Sequence, residues 1–207
     1  DGLRLDAMDN APASFWRDVR ALVKSKRRDV VLLGEVVHDA LWNVAESRGV
    51  DVVTDFRIRD AFVAFFAHRT MDAPAFVDAL RFAKHRTGPF PASYRLGFLD
   101  NHDTARFLSL ARNEARLRAA IATLLFLEET AWITYGTEAH LAAFTGERVL
   151  DASWPERKAM PDPSTIASTT ANETVEIVRA LCAARRRVSP AGVRVLEARG
   201  ARLVLAR

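Results

Sequence analysis

The sequence predicts an α/β fold in which a parallel sheet is covered by helices. This prediction depends on composition, on the alternation of short β-rich runs with helical stretches, and on polar residues at the ends of those runs. The chain has 207 residues, of which 49% are hydrophobic, so it can bury a sizeable core. Parallel strands need long crossover connections, and helices between strands supply them.

Short β-rich runs alternate with helical stretches through the first two thirds of the chain. The β runs are GLRLD, DVVLLGE, DVVTDF, YRLGFLD and AWITYG, and the helical stretches include ASFWRDVRALVKS, RDAFVAFFAHR, APAFVDALRFAKH and ARLRAAIATLLFLEE. The first helical stretch places Phe15, Val19, Leu22 and Val23 on one face. We expect that face to pack against the sheet.

The pattern changes after residue 142. Residues 143–171 are rich in Pro, Ser, Thr and charge, which predicts a long loop. The stretch ETVEIVRALCAARRRV predicts one more helix, and GVRVLEARGARLVLAR predicts a hairpin of two short strands joined by ARGA. We therefore divide the chain into an α/β domain over residues 1–187 and the first strands of an all-β domain over residues 188–207.

Charge and cysteine content exclude several classes of protein. The 30 basic and 26 acidic residues give a formal net charge of +4, and the basic clusters KSKRR and RRR are typical of solvated helix ends, so we expect no nucleic-acid binding. No apolar run is long enough to span a membrane, and no signal peptide is visible, which favours a cytoplasmic location. The single cysteine, Cys182, excludes an internal disulfide and is expected in the core.

Carboxylates follow three of the predicted strands directly or within a few residues. Asp6 follows the first strand, Glu35 the second, and Asp103 the fourth. The carboxyl ends of parallel strands meet at one edge of the sheet, where ligands bind, so we expect these carboxylates to share one mouth. Arg4 lies two residues before Asp6 on the same strand face and is placed to pair with it.

A simpler interpretation of the stretch GFLDNHDTARF remains open at this point. Asp103 and Thr104 are residue types that cap helices, and a helix is predicted to follow them. The alternative is chemical, because two carboxyl groups facing each other across a bond are what glycoside hydrolysis requires. No zinc-ligand spacing, glycine-rich phosphate loop or nucleophile elbow suggests a different chemistry.

Three stretches, DGLRLDAMDN, VLLGEVVHDA and GFLDNHDTARF, resemble three of the four short signature regions of the α-amylase family of glycoside hydrolases. The first 42 residues are similar to its neopullulanase, cyclomaltodextrinase and maltogenic amylase branch. AWITYGTEAHLAAFTGER is similar to the family's eighth strand, and PERKAMPDP to a loop that lines the sugar site. The resemblance implies the C-terminal five strands of a TIM (β/α)8 barrel, from about strand 4 to helix 8, followed by the start of a C-terminal β-sandwich domain.

The resemblance also implies roles for individual residues. The implied activity is retaining hydrolysis of α-glucosidic bonds in maltooligosaccharides, cyclodextrins or pullulan. The residues that match are the nucleophile Asp6, the general acid and base Glu35, the transition-state stabiliser Asp103, the nucleophile's partner Arg4, the sugar-binding His102 and the acceptor-side His38.

Other functions remain open. The same catalytic residues could act in a transglycosylase or an isomerase. A non-catalytic carbohydrate-binding homologue is an alternative that is not an enzyme, but the intact carboxylates argue against it. We expect no cofactor, although family members often bind calcium, whose ligands this portion does not identify. Linkage preference and oligomeric state stay open. Because the first three barrel strands are absent, we expect the isolated segment to be inactive and aggregated or marginally folded.

Overall fold

The computed structural model describes residues 1–37, 49–86, 94–142, 157–188 and 192–207. Within these residues the predicted β runs form a parallel sheet of five strands, in the order of the chain. The strands are β1 (Gly2–Leu5), β2 (Val31–Gly34), β3 (Val52–Thr54), β4 (Arg95–Phe98) and β5 (Thr130–Trp132). The α/β prediction is confirmed at this level.

The register of the first two strands determines where their polar ends meet. Leu5 of β1 lies opposite Gly34 of β2, and the Glu35 amide donates to the Leu5 carbonyl at 2.8 Å. Asp6 and Glu35 therefore leave adjacent strands at the same level of the sheet. β4 is separated from β2 by β3, so Asp103 approaches the same edge from two strands away.

Helices cover the sheet and supply most of the core. The elements are α1 (Ala13–Lys26), α2 (Phe56–Phe62) with a π-helical continuation (Val63–His68), α3 (Ala73–Arg86), α4 (Phe107–Ala111), α5 (Glu114–Phe126), α6 (Pro163–Ala167) and α7 (Ala171–Arg185). The largest apolar cluster joins α2, α3 and α5 through residues such as Phe62, Phe76 and Ile121, all fully buried. None of the described helices has the length and apolar character needed to cross a membrane.

The orientation of α1 differs from the predicted one. Trp16 is the buried residue of this helix, and its indole N–H donates to the Met8 carbonyl at 2.9 Å. That bond turns the Trp16 face toward the sheet, where Val19 and Val23 also pack. Phe15 and Leu22 are 50% and 63% exposed, so the prediction that they pack with Val19 and Val23 is wrong.

The predicted loop over residues 143–171 is wrong in its second half. Residues 143–156 lie outside the described residues, but α6 and the first residue of α7 fall within the remainder. Asp162 caps α6 by accepting from the amides of Ser164 and Thr165, both at 3.0 Å. Pro163 occupies the first helical turn, where its missing N–H costs nothing. These start signals outweigh the polar composition of the segment.

The predicted C-terminal hairpin is confirmed. Strands β6 (Arg194–Arg199) and β7 (Arg202–Ala206) pair antiparallel in a sheet of their own. Glu128 accepts from the Gly192 amide at 2.9 Å, and the Gly200 carbonyl accepts from the Ala73 amide at 2.6 Å. These contacts attach the hairpin to the start of α3 and to the segment before β5.

Asp55, at the end of β3, has a structural role. Its carboxylate caps α2 by accepting from the amides of Arg57 and Ile58 at 3.1 and 3.3 Å. The fully buried Arg95 guanidinium lies 3.7 Å from it and also pairs with Glu129. Burial raises the pKa of the Asp55 carboxyl. This strand end therefore holds the sheet to α2 and contributes no side chain to the mouth described below.

Candidate active site

A single guanidinium joins the first two candidate carboxylates. Arg4 Nη1 lies 2.5 Å from Asp6 Oδ1, and Arg4 Nη2 lies 2.8 Å from Glu35 Oε1. Arg4 and Asp6 share a face because side chains two positions apart on a strand point to the same side. Glu35 joins them because β1 and β2 are neighbours in register. The sequence-predicted pairing of Arg4 with Asp6 is present, and its contact with Glu35 is an addition.

The two carboxylates have different surroundings. The Asp6 side chain is 70% exposed at the mouth, whereas that of Glu35 is 8% exposed. The hydrogen bond from Arg4 and the charge of Arg4 hold the pKa of Asp6 below its usual value, and a hydrogen bond with Glu35 and the charge of His102 act in the same direction. The arrangement thus favours an ionised Asp6 facing solvent beside a secluded Glu35.

The chain that follows Asp6 folds over the end of β2 and fixes Glu35. The Ala7 amide donates to Glu35 Oε2 at 3.3 Å, and the Met8 amide donates to the Glu35 carbonyl at 2.9 Å. Ala7 adopts a left-handed conformation, with φ of 45°. The buried Met8 side chain fills the space above Gly34, where an added Cβ would lie 2.1 Å from Met8 Sδ. Gly34 is therefore needed for this close approach.

Asp103 and His102 form a second group of polar side chains. His102 Nε2 lies 3.1 Å from Asp103 Oδ2, and Arg157 Nη2 lies 2.5 Å from Asp103 Oδ1. Arg157 Nε also donates to the His102 carbonyl at 3.2 Å. The charge of His102 contributes to lowering the pKa of Asp6, so His102 lies within electrostatic range of the first group. The structure thus brings Asp6 together with Arg4 and Glu35, and Asp103 together with His102 and Arg157.

The helix-capping interpretation of this stretch applies to Asp100 and not to Asp103. Asp100 Oδ2 accepts from the Phe107 amide, the first residue of α4, at 2.7 Å. Its other oxygen accepts from the Thr137 hydroxyl at 2.7 Å. Asp100 is 1% exposed, and burial raises the pKa of its carboxyl. The Asp103 carboxylate instead contacts His102 and Arg157.

The segment that carries Arg157 is attached to the loop after β5. The Tyr135 hydroxyl donates to the Lys158 carbonyl at 2.9 Å, and Lys158 Nζ donates to the Ala142 carbonyl at 3.1 Å. The Arg106 guanidinium lies over the Tyr135 ring, 4.7 Å from the ring centre, in a cation–π contact. Sequence reasoning placed the PERKAMPDP loop beside the sugar site but did not single out Arg157, because its contact with Asp103 spans 54 residues.

Two further expectations from the sequence concern His38 and metal binding. His38, the predicted acceptor-side histidine, lies outside the described residues. Across the ranges that the structure describes, no three His, Cys, Asp or Glu side chains come together in a way that could hold a metal ion.

Comparisons with known proteins identify the family of the chain. Residues 4–184 match the family model described as alpha amylase, catalytic domain. The chain is 35% identical over 147 residues to neopullulanase 2 of Thermoactinomyces vulgaris, covering 70% of this chain and 25% of that protein. It is 33% identical over 144 residues to a cyclomaltodextrinase of Geobacillus thermopakistaniensis, covering 67% of this chain and 24% of that protein. The chain thus spans about a quarter of the length of these relatives.

A solved structure shows the same arrangement of elements. The cyclic alpha-maltosyl-(1→6)-maltose hydrolase from Arthrobacter globiformis, in complex with maltose, superimposes with a TM-score of 0.79 at 26% identity. The superposition covers 96% of this chain and 44% of the hydrolase. Because the family model matches most of the sequence and the sheet has the parallel order that a TIM barrel requires, the chain belongs to the α-amylase catalytic domain family.

Proposed function

We propose that the protein carrying this chain is a retaining glycoside hydrolase that cleaves α-glucosidic bonds in maltooligosaccharides, cyclodextrins or pullulan. The observation that carries the proposal is the contact of one Arg4 guanidinium with both Asp6 and Glu35. A retaining mechanism needs one ionised carboxylate and one protonated carboxyl on either side of the bond. The names of the relatives, neopullulanase and cyclomaltodextrinase, support the substrate class.

The reaction follows from the different surroundings of the two carboxyl groups. Asp6, kept ionised by Arg4, attacks the anomeric carbon as the glycosidic C–O bond breaks, and Glu35 gives its proton to the leaving oxygen. A covalent ester between Asp6 and the sugar results. Glu35 then takes a proton from water, whose oxygen displaces Asp6 from the anomeric carbon, so the configuration is retained.

The remaining site residues act on the sugar without changing bonds. We assign Asp103 to stabilising the positive charge that develops on the sugar ring, because it follows β4 at the same edge of the sheet and Arg157 holds its carboxylate. His102, in contact with Asp103, is placed to donate to a sugar hydroxyl. His38 keeps its assignment as an acceptor-side residue from the family resemblance alone.

We assign the five parallel strands to the C-terminal five of the eight-stranded barrel, from about strand 4 to helix 8. Residues 1–187 then belong to the catalytic domain, and β6 and β7 open a β-sandwich domain at residues 188–207. The separate pairing of the hairpin supports this division. We assign no cofactor, since two carboxyl groups and water account for every bond and proton in these steps.

The decisive experiment replaces the proposed nucleophile. In the complete gene product, Asp6→Asn is expected to lower turnover of maltotriose by orders of magnitude while maltotriose still binds, because the carboxylate acts mainly in the transition state. Asp18→Asn, an exposed position on α1, is the matched control and should keep full activity. Near wild-type turnover in Asp6→Asn would contradict the assignment. The products of the wild-type reaction separate hydrolysis from transglycosylation, because transfer yields oligosaccharides longer than maltotriose.

A further inference from the structure

We propose that the chain carries a second binding site, for a small phosphate-bearing anion, at the edge of the sheet opposite the candidate active site. This site, the basic pocket, is a cavity of about 750 Å³. Its lining residues are Arg20, Ala21, Lys24, Ser25, Lys26, Arg28 and Asp51. The inference does not depend on the proposed hydrolase function.

The position of the basic pocket separates it from the proposed chemistry. Its cationic residues come from the C-terminal half of α1 and from the turn that precedes β2, and Asp51 immediately precedes β3. These are the amino-terminal ends of the strands, whereas Asp6 and Glu35 follow the carboxyl ends. A ligand in the basic pocket therefore occupies a different surface from a sugar in the active-site mouth.

The single carboxylate of the basic pocket, that of Asp51, already accepts hydrogen bonds on both of its oxygens. Asp51 Oδ1 accepts from Arg20 Nη1 at 2.7 Å, and Oδ2 accepts from Lys24 Nζ at 2.7 Å and from the Leu32 amide at 2.9 Å. Lys24 also donates to the Val30 carbonyl at 2.6 Å. Asp51 thus holds Arg20 and Lys24 in place and has little capacity left to attract a further cation.

Two more cations line the basic pocket without such partners. Within the described residues, neither the Lys26 ammonium nor the Arg28 guanidinium has a hydrogen bond or an ion pair, although both line the same cavity as Arg20 and Lys24. Four cationic side chains therefore surround one carboxylate. The excess positive charge in a concave polar cavity attracts an anion and holds it through several donors at once.

A helix end alone does not account for this arrangement. Cations are favoured at the C-terminus of any helix by its dipole, and α7 also ends in a basic cluster. There, however, Arg185 donates to the carbonyls of Leu125 and Leu127 at 2.7 and 2.6 Å, and Arg186 Nε donates to the Cys182 carbonyl at 3.3 Å. Arg185 and Arg186 of the α7 cluster thus donate to the protein's own carbonyls, whereas Lys26 and Arg28 line a cavity together with two further cations.

The donors determine the class of ligand. Lysine and arginine together are the usual partners of phosphate oxygens, and the lining offers only the small Ala21 side chain to an apolar group. The phosphate group itself is therefore the recognised part. It can come from inorganic phosphate or from a phosphorylated metabolite, and the cavity has room for either.

The test uses the complete gene product and titration calorimetry at low ionic strength, with inorganic phosphate in one arm and ATP in the other. Wild type should bind at least one of them saturably, and Lys26→Gln/Arg28→Gln should bind at least tenfold more weakly. The matched control, Arg186→Gln/Arg187→Gln, also removes two charges at a helix end and should stay within twofold of wild type. Saturable binding in the first arm identifies free phosphate as sufficient, and binding in the second arm alone identifies a larger phosphorylated ligand.

Two results would overturn the proposal. One is the absence of saturable binding of both ligands to wild type. The other is an equal loss of affinity in the control variant Arg186→Gln/Arg187→Gln and in Lys26→Gln/Arg28→Gln. Binding would then depend on the overall charge of the protein and not on the basic pocket. Circular dichroism of both double variants establishes that they fold, as expected for substitutions at exposed positions. Added sodium chloride should weaken wild-type binding, since screening reduces attraction between exposed charges.

Discussion

Arg157 Nη2 lies 2.5 Å from Asp103 Oδ1, so a residue 54 positions further along the chain fixes a carboxylate of the candidate active site. The same guanidinium reaches the His102 carbonyl. The pair connects the end of β4 to the segment that precedes α6. Asp103 is thereby held by a charged partner at the mouth, where a flexible carboxylate would lose catalytic geometry.

We predict that Arg157→Gln lowers kcat/KM on maltotriose by roughly 10- to 100-fold, because misplacing a group in the site by about 1 Å has effects of that size. Arg157→Lys should recover part of the loss by restoring the charge without the second donor. Arg187→Gln is the control for removal of an exposed arginine and should be neutral. Equal activity of Arg157→Gln and wild type would show that Asp103 does not need this partner.

Glu35→Gln should separate natural from activated substrates. A substrate whose leaving group departs without a proton needs less help from a general acid, so its glycosylation step should lose less than that of maltotriose. Pre-steady-state release of a nitrophenolate, compared with maltose release from maltotriose, measures both. Glu176→Gln, a change at an exposed helix position, is the control. Identical losses on both substrates would point to another acid.

The pH profile should depend on Arg4. Because Arg4 lowers the pKa of Asp6, the nucleophile stays ionised down to a pH below the ordinary aspartate value of 3.8 and is lost only as the pH falls through this lowered pKa. Arg4→Gln removes the main cause, so the pKa of Asp6 rises and the acidic limb of kcat/KM moves to higher pH. Kinetics from pH 3 to pH 7 measure the shift. Arg27→Gln, whose partners Asp1 and Asp29 are exposed, should leave the limb in place; an unmoved limb in Arg4→Gln would refute the assignment.

Gly34→Ala should destabilise the fold by about 1–3 kcal/mol, the usual cost of overpacking. The new Cβ would lie 2.1 Å from Met8 Sδ and 3.2 Å from Val50 Cγ1. Urea unfolding measures the loss. Met8→Ala makes room, so the double variant Gly34→Ala/Met8→Ala should be more stable than the sum of the single effects predicts. Additive effects would mean that the two residues do not collide.

The 207-residue chain expressed alone should associate and release no sugar. Within the described residues β1 and β5 are the edges of the sheet, and Leu3 and Val31 near one edge are 48% and 46% exposed. Unpaired parallel edges with exposed apolar side chains promote association. Light scattering after size-exclusion chromatography measures it. A monodisperse monomer with turnover of about 1 to 1,000 per second, typical of an enzyme, would contradict this prediction.

The sequence by itself determined the alternation of strands and helices, the C-terminal hairpin and the identity of the candidate carboxylates. These are local features: periodicity shows a strand or a helix, and a carboxylate just after a strand lies at a known edge of a parallel sheet. The pairing of Asp6 with Arg4 could be predicted for the same reason, because two residues at alternate positions of one strand share a face whatever the tertiary structure.

Only the tertiary structure decided which partners these residues find. Arg4 reaches Glu35 because Leu5 lies opposite Gly34, and Asp103 meets Arg157 because the segment before α6 returns to the end of β4. The same packing makes Asp100 the helix cap. Strand register and the path of a returning segment depend on contacts between residues far apart in the sequence. The residues next to a position do not encode such contacts, so its local pattern cannot predict them.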